Sequence, residues 1–418
     1  MSQLTVSREL HPENQEKIDP IAVCNRIVAQ SYASITGVDM IEVRRINDMT
    51  RIWRSEDNGR TWALTEEMPY RGEACGEGKS ICRYVARLYL DPVEDILVRF
   101  LTTSVAADSY FDCGVQYNEK IKGFFPNTYR AFYQISRDGG RSWTPEKQWV
   151  QRGAAYDADH WAENTHFAKS SLRFEEVPPY PKLPDGAILI PYQGRSEEPD
   201  ATYGTIQAGC VLARWTDDRS DLEWDTAGRV PGGGCEQTLA ILKDGRILNV
   251  LRAQGIVRPY FFPPRRRPYA LSEDGGRTWA EPRPLTFDDG SLFTSSASWS
   301  RLIRSSKNGR LYWIATMRPG PDDPAELADD GPRADPRHPL QIAEVDEDTL
   351  TIRKDTVTVI EDRDPTETDW VRFSNFRVYE DRETQEIVVL MMKAYCEKAE
   401  DVFNLPTPSY RYRIAVPE

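Results

Sequence analysis

A short motif recurs three times in this chain of 418 residues and restricts the folds that are open to it. Each copy reads Ser-x-Asp-x-Gly-x-x-Trp, and the copies cover residues 55–62, 136–143 and 272–279. A degenerate fourth copy with one inserted residue covers residues 216–224. The aspartate can accept hydrogen bonds from nearby backbone N–H groups, the glycine can supply a positive φ, and the tryptophan can pack beneath the turn. The motif therefore predicts a tight turn between two strands that recurs along the chain.

Strand-like segments flank the copies, and long helical periodicity is absent. Residues 128–136 and 311–316 are rich in β-branched and aromatic side chains, which favour strands. The four copies, counting the degenerate one, begin at Ser55, Ser136, Thr216 and Ser272, a spacing that suits a four-stranded unit with its loops. The sequence therefore predicts an all-β fold built from repeated small sheets.

The repeated turn resembles the Asp-box of the sialidase superfamily, whose fold is a six-bladed β-propeller. That resemblance implies an all-β, six-bladed β-propeller that forms a single domain over residues 1–418, and the spacing of the copies agrees with six blades in a chain of this length. In that family the box lies on the outer rim of the blades, so Asp57, Asp138 and Asp274 are expected to be structural and not catalytic. Proteins other than sialidases also carry the box, so it indicates a fold and not an activity.

Residues between the boxes resemble the active-site pattern of bacterial sialidases. Arg26 matches the first of three arginines that bind the substrate carboxylate, although the proline of that motif is absent. Asp48, just before the first box, matches the general acid/base. Glu236 matches the buried carboxylate of the site, and Arg252 matches the second arginine. The interval from Glu236 to Arg252 suits a glutamate at the start of one strand and an arginine at the end of the next.

The third arginine of the pattern has more than one candidate. Arg337 stands just before a strand-like segment and is the preferred match, with Arg333 and Arg318 as alternatives. A carboxylate accepts paired, charge-assisted hydrogen bonds from a guanidinium group that keeps its proton, so three converging arginines suit an acidic sugar.

One position departs from the family pattern. Retaining sialidases use a tyrosine nucleophile in a Tyr-Ser-x-Leu segment, and the matching residues 373–376 read Phe-Ser-Asn-Phe. Phe373 has no oxygen and cannot attack a sugar. Either another tyrosine takes this role, with Tyr379 and Tyr395 as candidates, or the chemistry differs. Attack by water with inversion is then favoured over a tyrosyl intermediate.

Two of the four histidines, His160 and His166, stand in one predicted loop after the second box. Imidazole carries protons near neutral pH, so either residue is a candidate catalytic base. A base together with arginines that stabilise an enolate-like intermediate also suits β-elimination from a uronic acid. A metal site formed by His160, Glu163 and His166 would lack a further evident ligand. We therefore expect no metal and no cofactor.

The net charge of −13 argues against a broad surface for nucleic acid or an anionic membrane, yet it allows a small basic pocket. No apolar run approaches the roughly 20 residues of a membrane-spanning helix. The low density of cysteine and the polar N-terminal segment Met1–Pro20 favour a cytoplasmic protein, or a secreted or periplasmic one if a signal was removed. No pattern in the sequence predicts an oligomeric state.

Three functions fit these observations. The first is an exo-glycosidase that cleaves a terminal acidic sugar of the sialic or uronic acid type. The second is a polysaccharide lyase that acts on a uronic-acid glycoside. The third is a propeller that binds sugars without catalysis.

Overall fold

The computed structural model describes residues 4–11, 25–46, 49–69, 71–76, 79–107, 128–163, 165, 170–174, 180–200, 204–252, 266–296, 298–319, 337–367, 371–393 and 409–418. Within these ranges the structure is almost entirely β-strand, and the one helix is a 3₁₀ turn at Lys354–Thr356. The chain divides into two compact units. The first comprises Ala22–Arg229, and the second comprises Met1–Ile21 together with Val230–Glu418. The single-domain organisation remains a prediction.

The first strand of the chain, β1 (Thr5–Leu10), belongs to the last sheet of the second unit. The unit Ala22–Arg229 contains three antiparallel sheets. Sheet 1 consists of β2 (Asn25–Tyr32), β3 (Met40–Ile46), β4 (Met49–Ser55) and β5 (Ala63–Pro69). Sheet 2 consists of β6 (Arg71–Gly76), β7 (Lys79–Leu90), β8 (Leu97–Ala107), β9 (Thr128–Ser136) and β10 (Lys147–Gln148). Sheet 3 consists of β11 (Ser170–Phe174), β12 (Ile188–Asp200), β13 (Gly204–Trp215) and β14 (Leu222–Arg229).

The second unit contains three further sheets and a short strand pair. Sheet 4 consists of β15 (Cys235–Ile241), β16 (Ile247–Arg252), β17 (Pro268–Ser272) and β18 (Arg283–Pro284). Strand β19 (Phe293–Thr294) pairs with β22 (Arg318–Pro319). Sheet 5 consists of β20 (Arg301–Arg304), β21 (Leu311–Ala315), β23 (Leu340–Asp346) and β24 (Thr351–Ile352), with β25 (Thr358–Glu361) also paired to β23. Sheet 6 consists of β26 (Arg377–Glu380), β27 (Ile387–Met392), β28 (Ser409–Ala415) and the N-terminal β1.

The repeated motif forms the turn that the sequence predicts. Every copy connects the last two strands of its sheet. The full copies do so in sheets 1, 2 and 4, and the degenerate copy does so in sheet 3. In the first copy the Asp57 carboxylate accepts bonds from the Thr61 N–H at 2.8 Å, the Thr61 hydroxyl at 2.6 Å and the Ser55 hydroxyl at 2.8 Å. Asp138 and Asp274 accept the equivalent bonds. These aspartates therefore hold the turn closed.

The hydrogen bonds of the turn also set the charge state of its aspartate. Partial burial alone would raise the pKa of Asp57, but the bonds from Thr61, Ser55 and the Arg60 N–H outweigh it and lower the pKa to about 2. The pKa values of Asp138 and Asp274 are lowered in the same way. The boxes therefore stabilise the turns chiefly when their aspartates are ionised.

Apolar side chains fill the spaces between neighbouring sheets within each unit. In the unit Ala22–Arg229 one cluster is rich in aromatic rings and includes the Trp224 of the degenerate motif, which is buried. In the second unit the cluster that supports sheets 5 and 6 contains Phe373, which has no exposed surface. The core therefore uses both a motif tryptophan and the residue that stands where the family has its tyrosine.

Candidate functional site

Charged and polar residues gather at one edge of sheets 4, 5 and 6. At this edge the first strand of each sheet begins, the second ends and the third begins, because neighbouring strands are antiparallel. Strands β15 and β20 run in the same direction, since Leu302 donates its N–H to Thr238 at 3.0 Å and Arg304 donates to the Ile241 carbonyl at 2.8 Å. We call this side of the second unit the polar edge. Its cations include Arg252, Arg266, Arg267, Arg301, Arg337, Arg377 and Lys393, and its carboxylates include Glu236, Asp362 and Glu367.

Glu236 has an unusual backbone conformation at the start of β15. Its φ is 48°, in the left-handed region that a glutamate rarely adopts. The strand also carries a bulge here, because the pairing register shifts between Cys235 and Thr238. A bulge re-aims a side chain, and left-handed strain of about 1–3 kcal/mol per residue tends to concentrate at functional sites. The backbone of Glu236 is therefore held in place by its surroundings.

Three glycines before Glu236 allow this arrangement. Gly232, Gly233 and Gly234 all have positive φ, with values of 77°, 70° and 137°. A Cβ on Gly234 would lie 3.0 Å from the Cδ2 of Leu251 and 3.4 Å from the Arg252 carbonyl oxygen. The chain can therefore pass close to the end of β16 only because this position carries no side chain.

Glu236 and Arg252 form an ion pair at the polar edge. The Nη1 of Arg252 donates to the Oε1 of Glu236 at 2.7 Å, and the side chains of Arg252 and Glu236 are 19% and 12% exposed. Strand pairing brings them together, because Cys235 lies opposite Arg252 across the ladder. In the same two strands the Nδ2 of Asn249 donates to the Oε1 of Gln237 at 2.7 Å, and both residues are fully buried. A buried polar pair thus supports the bulge that carries the ion pair.

Arg337 is held by the segment that contains Phe373. The N–H of Phe373 donates to the Arg337 carbonyl at 2.9 Å, and the Nη1 of Arg337 donates to the Oγ of Ser374 at 3.2 Å. Arg337 also forms a parallel bridge with Arg372. The arginine stands shortly before the third strand of sheet 5, and Ser374 stands just before the first strand of sheet 6. Two neighbouring sheets therefore meet at this guanidinium group.

Phe373 does not line an open surface. Its side chain is fully buried, and the Nζ of Lys393 lies 5.6 Å from the centre of its ring. Lys393 also forms an ion pair of 2.8 Å with Glu367. A buried ring covered by an ion pair is a packing element, and it cannot supply a nucleophile.

His338 follows Arg337 and lies beside Asp362, with 3.2 Å between Nδ1 and Oδ1. Burial lowers the pKa of His338, while the bond to Asp362 partly opposes that shift. The neighbouring charges of Arg318 and Arg363 lower the pKa further. His338 is therefore neutral near neutral pH and adds no positive charge beside Arg337.

The other residues singled out from the sequence have different outcomes. Arg26 pairs with Arg45 through the backbone of sheet 1, but its side chain lies outside the described part of the structure. Asp48, His166, Arg333 and Tyr395 also lie outside the described residues. Arg318 is exposed in β22, and Tyr379 is half-buried in β26. The roles that the sequence assigns to these residues stay predictions.

His160 lies in the unit Ala22–Arg229, within a self-bonded loop. The backbone N–H of His160 donates to the Oδ1 of Asp157 at 2.8 Å, and this bond is the chief reason that the pKa of Asp157 is lowered. The imidazole packs against the Tyr156 ring at 5.1 Å between centroids. Among the described residues, no three His, Cys, Asp or Glu side chains are grouped as ligands for a metal ion. The described chain also contains no helix with the length and hydropathy needed to cross a bilayer.

The functional roles of Glu236, Arg252 and Arg337 stay predictions, and the contacts that hold these residues were not predicted from the sequence. The left-handed backbone of Glu236, the bond from Arg337 to Ser374 and the pair of Lys393 with Glu367 were not anticipated. Only the glycines at 232–234 gave a signal in the sequence, since three in a row indicate a backbone that needs positive φ.

Comparison with solved structures places the fold. A sialidase from Streptococcus pneumoniae aligns with a TM-score of 0.57 at 12% identity, over 96% of this chain and 69% of that one. An intramolecular trans-sialidase from Ruminococcus gnavus aligns with a TM-score of 0.55 at 12% identity, over 94% and 95% of the two chains. An α-L-arabinofuranosidase from Fusarium graminearum aligns with a TM-score of 0.51 at 13% identity, over 95% and 94%.

Neither a family model nor a curated protein matches the sequence. The chain is an all-β, six-bladed β-propeller of the sialidase-like kind, as the sequence predicts, and sheets 1 to 6 are its blades. At 12–14% identity these similarities establish the fold that the chain shares with glycoside hydrolases, and not its substrate.

Proposed function

We propose that this protein is a glycoside hydrolase that releases a terminal acidic sugar, with Glu236, Arg252 and Arg337 in its binding site. The observation that carries the proposal is the pairing of Glu236 with Arg252 on a bulged, left-handed start of β15. A partly exposed carboxylate that the fold holds in a strained position beside a guanidinium group is a common feature of catalytic sites.

The distribution of cations supports an acidic substrate. The whole chain carries a net charge of −13, yet the polar edge of the second unit contains six arginines and Lys393 against Glu236, Asp362 and Glu367. Arg252 bonds Glu236 through Nη1, and a guanidinium group has five N–H donors in all. A guanidinium group can bond two partners at once, and we assign the ligand carboxylate to Arg252 as a second partner beside Glu236. Arg337 is half-buried and would contribute a second charge.

The chemistry that we propose uses water as the nucleophile. The oxygen of water forms a bond to the anomeric carbon while the glycosidic carbon–oxygen bond breaks. A carboxylate accepts the proton from water, a role that we assign to Glu236, and the leaving oxygen takes a proton from the general acid, a role that the family resemblance assigns to Asp48. Phe373 is fully buried and has no hydroxyl, so a covalent tyrosyl intermediate at this position is excluded.

Product analysis tests the proposal. The full chain is incubated with terminal sialosides, terminal glucuronides and uronate polysaccharides, and the products are identified by mass spectrometry. Hydrolysis adds the mass of water and yields a free acidic sugar, while elimination adds none and produces an unsaturated product that absorbs in the ultraviolet. Proton NMR of the first product then gives the anomeric configuration, and we expect inversion. Elimination products would refute hydrolysis, and a lack of turnover of all three substrate classes would favour a binding protein.

A further inference from the structure

We infer that Ser374 is a positioning residue that orients Arg337 toward the ligand, and that Phe373 anchors the segment carrying this serine. The inference rests on the proposed function, because it gives Arg337 the substrate carboxylate as its ligand. It gives a role to Phe373 and Ser374, which lie in the segment that lacks the tyrosine of the sialidase pattern.

Arg337 is bonded to this segment through both its main chain and its side chain. The Phe373 N–H fixes the Arg337 carbonyl at 2.9 Å, and the Ser374 hydroxyl accepts from the Nη1 of Arg337 at 3.2 Å. One contact sets the main chain of the arginine, and the other sets the end of its side chain. A long side chain loses rotamer freedom when both ends are held, so less entropy remains to be lost when a ligand binds.

Phe373 is held by its surroundings. Its ring is fully buried in the apolar cluster of sheets 5 and 6, and the Nζ of Lys393, which pairs with Glu367, lies 5.6 Å from the centre of the ring. A residue fixed in this way keeps its neighbour Ser374 in a constant position, because their Cα atoms are linked by one planar peptide. Ser374 is 7% exposed, which suits a group that acts through Arg337 and does not itself meet the ligand.

The equivalent serine of sheet 5 provides a matched control. The turn between the first two strands closes at Ser305 in sheet 5 and at Asp381 in sheet 6. Ser298 precedes Ser305 by the same number of residues as Ser374 precedes Asp381. Ser298 is buried to 2% exposure, and its hydroxyl bonds the Ser296 hydroxyl at 2.7 Å. Arg267 donates to the main-chain carbonyl of Ser298, a bond that does not use the serine hydroxyl. Ser298→Ala thus removes a buried hydroxyl at the same place in the neighbouring blade.

The experiment compares Ser374→Ala, Ser374→Thr and Ser298→Ala in the full chain. Binding of N-acetylneuraminic acid and of glucuronic acid is measured by titration calorimetry, with the methyl ester of each as the neutral probe. The rate at which phenylglyoxal modifies Arg337 is followed by peptide mass spectrometry, since this rate reports on the arginine without any ligand.

We expect Ser374→Ala to weaken binding of the acid about threefold to tenfold, which corresponds to the loss of one ordinary hydrogen bond. Binding of the ester should not change. Phenylglyoxal should modify Arg337 at least twofold faster, the threonine variant should restore both values, and Ser298→Ala should leave both unchanged.

Two results would overturn the inference, and one of them leaves the proposed function intact. If wild-type protein binds the acids and Ser374→Ala changes neither the affinity nor the modification rate, Ser374 does not position Arg337. If wild-type protein shows no preference for acid over ester, the proposed function fails and the inference fails with it. The modification rate still reports whether Ser374 restrains the arginine in that case.

Discussion

Substitution of Glu236 distinguishes the energetic cost of its left-handed backbone from the catalytic role of its carboxylate. Three variants, Glu236→Gln, Glu236→Asn and Glu236→Gly, all remove the negative charge that faces Arg252. They differ in how well they tolerate a φ of 48°. Glutamine keeps a full side chain in the left-handed region, asparagine adopts this region far more readily, and glycine meets no steric penalty there.

The magnitude follows from the cost of the left-handed conformation, about 1–2 kcal/mol for an ordinary residue. Glutamine keeps that cost. Asparagine should recover roughly half of it, because its short polar side chain can hydrogen-bond locally. Glycine removes the whole cost, but it also lowers the free energy of unfolding by about 0.5–1 kcal/mol because the unfolded chain gains entropy. We expect the asparagine and glycine variants to be about 0.5–1 kcal/mol more stable than the glutamine variant.

The assay is urea unfolding of the three variants, followed by intrinsic tryptophan fluorescence, with activity measured in parallel. The free energies of the three variants are compared in an Arg252→Ala background, in which none of the side chains can bond the guanidinium group, and activity is measured with Arg252 in place. A glutamine variant that is as stable as the other two would refute the claim that Glu236 is strained. Turnover that survives in the glutamine variant would remove Glu236 from the catalytic role.

Three further predictions concern the box turns and the buried ring. Trp279→Ala should cost about 3–5 kcal/mol, because this tryptophan is 8% exposed beneath its turn, and a loss below about 1 kcal/mol by urea unfolding would contradict its packing role. Lowering the pH from about 4 toward about 2 should reduce the melting temperature, because the folded pKa of Asp57 lies at about 2 against an ordinary value of 3.8, so that its stabilisation is complete above pH 4 and is lost on protonation. The triple variant of Asp57, Asp138 and Asp274 to asparagine should show a flatter dependence over this range, and an unchanged slope would mean that other carboxylates dominate. Phe373→Tyr should create no covalent glycosyl-enzyme, since the position is fully buried, and a trapped adduct on this tyrosine in a mass spectrum would show that the position reaches the substrate.

The box turns could be predicted from the sequence because their chemistry is local. The bonds that close the first copy all lie between Ser55 and Thr61, so the motif itself contains the whole turn. The spacing of the copies predicts four-stranded sheets, and sheets 1, 3, 4 and 6 have four strands, whereas sheets 2 and 5 each carry a fifth. The motif and its spacing predict an all-β repeat, and the resemblance to the Asp-box of sialidases implies the propeller.

The supports of the candidate site could not be predicted, because they are contacts between distant positions. Arg337 and Ser374 are far apart in the chain, and no local pattern joins an arginine in one blade to a serine before the next. The left-handed Glu236 goes against local propensity, and tertiary structure imposes it. The motif shows which residue stands at position 373 but not whether its side chain is buried. The ring of Phe373 is fully buried, which accounts for an apolar side chain at this position.

The polar edge of the second unit is proposed to bind a carboxylated sugar through Arg252 and Arg337. Titration calorimetry of wild-type protein, Arg252→Ala and Arg337→Ala with an acidic sugar and with its methyl ester measures this directly. We expect wild-type protein to bind the acid at least tenfold more tightly than the ester, and each variant to lose most of that preference while a cooperative melting transition shows that it is folded. Equal affinity of wild-type protein for acid and ester, or variants that keep the full preference, would contradict the claim.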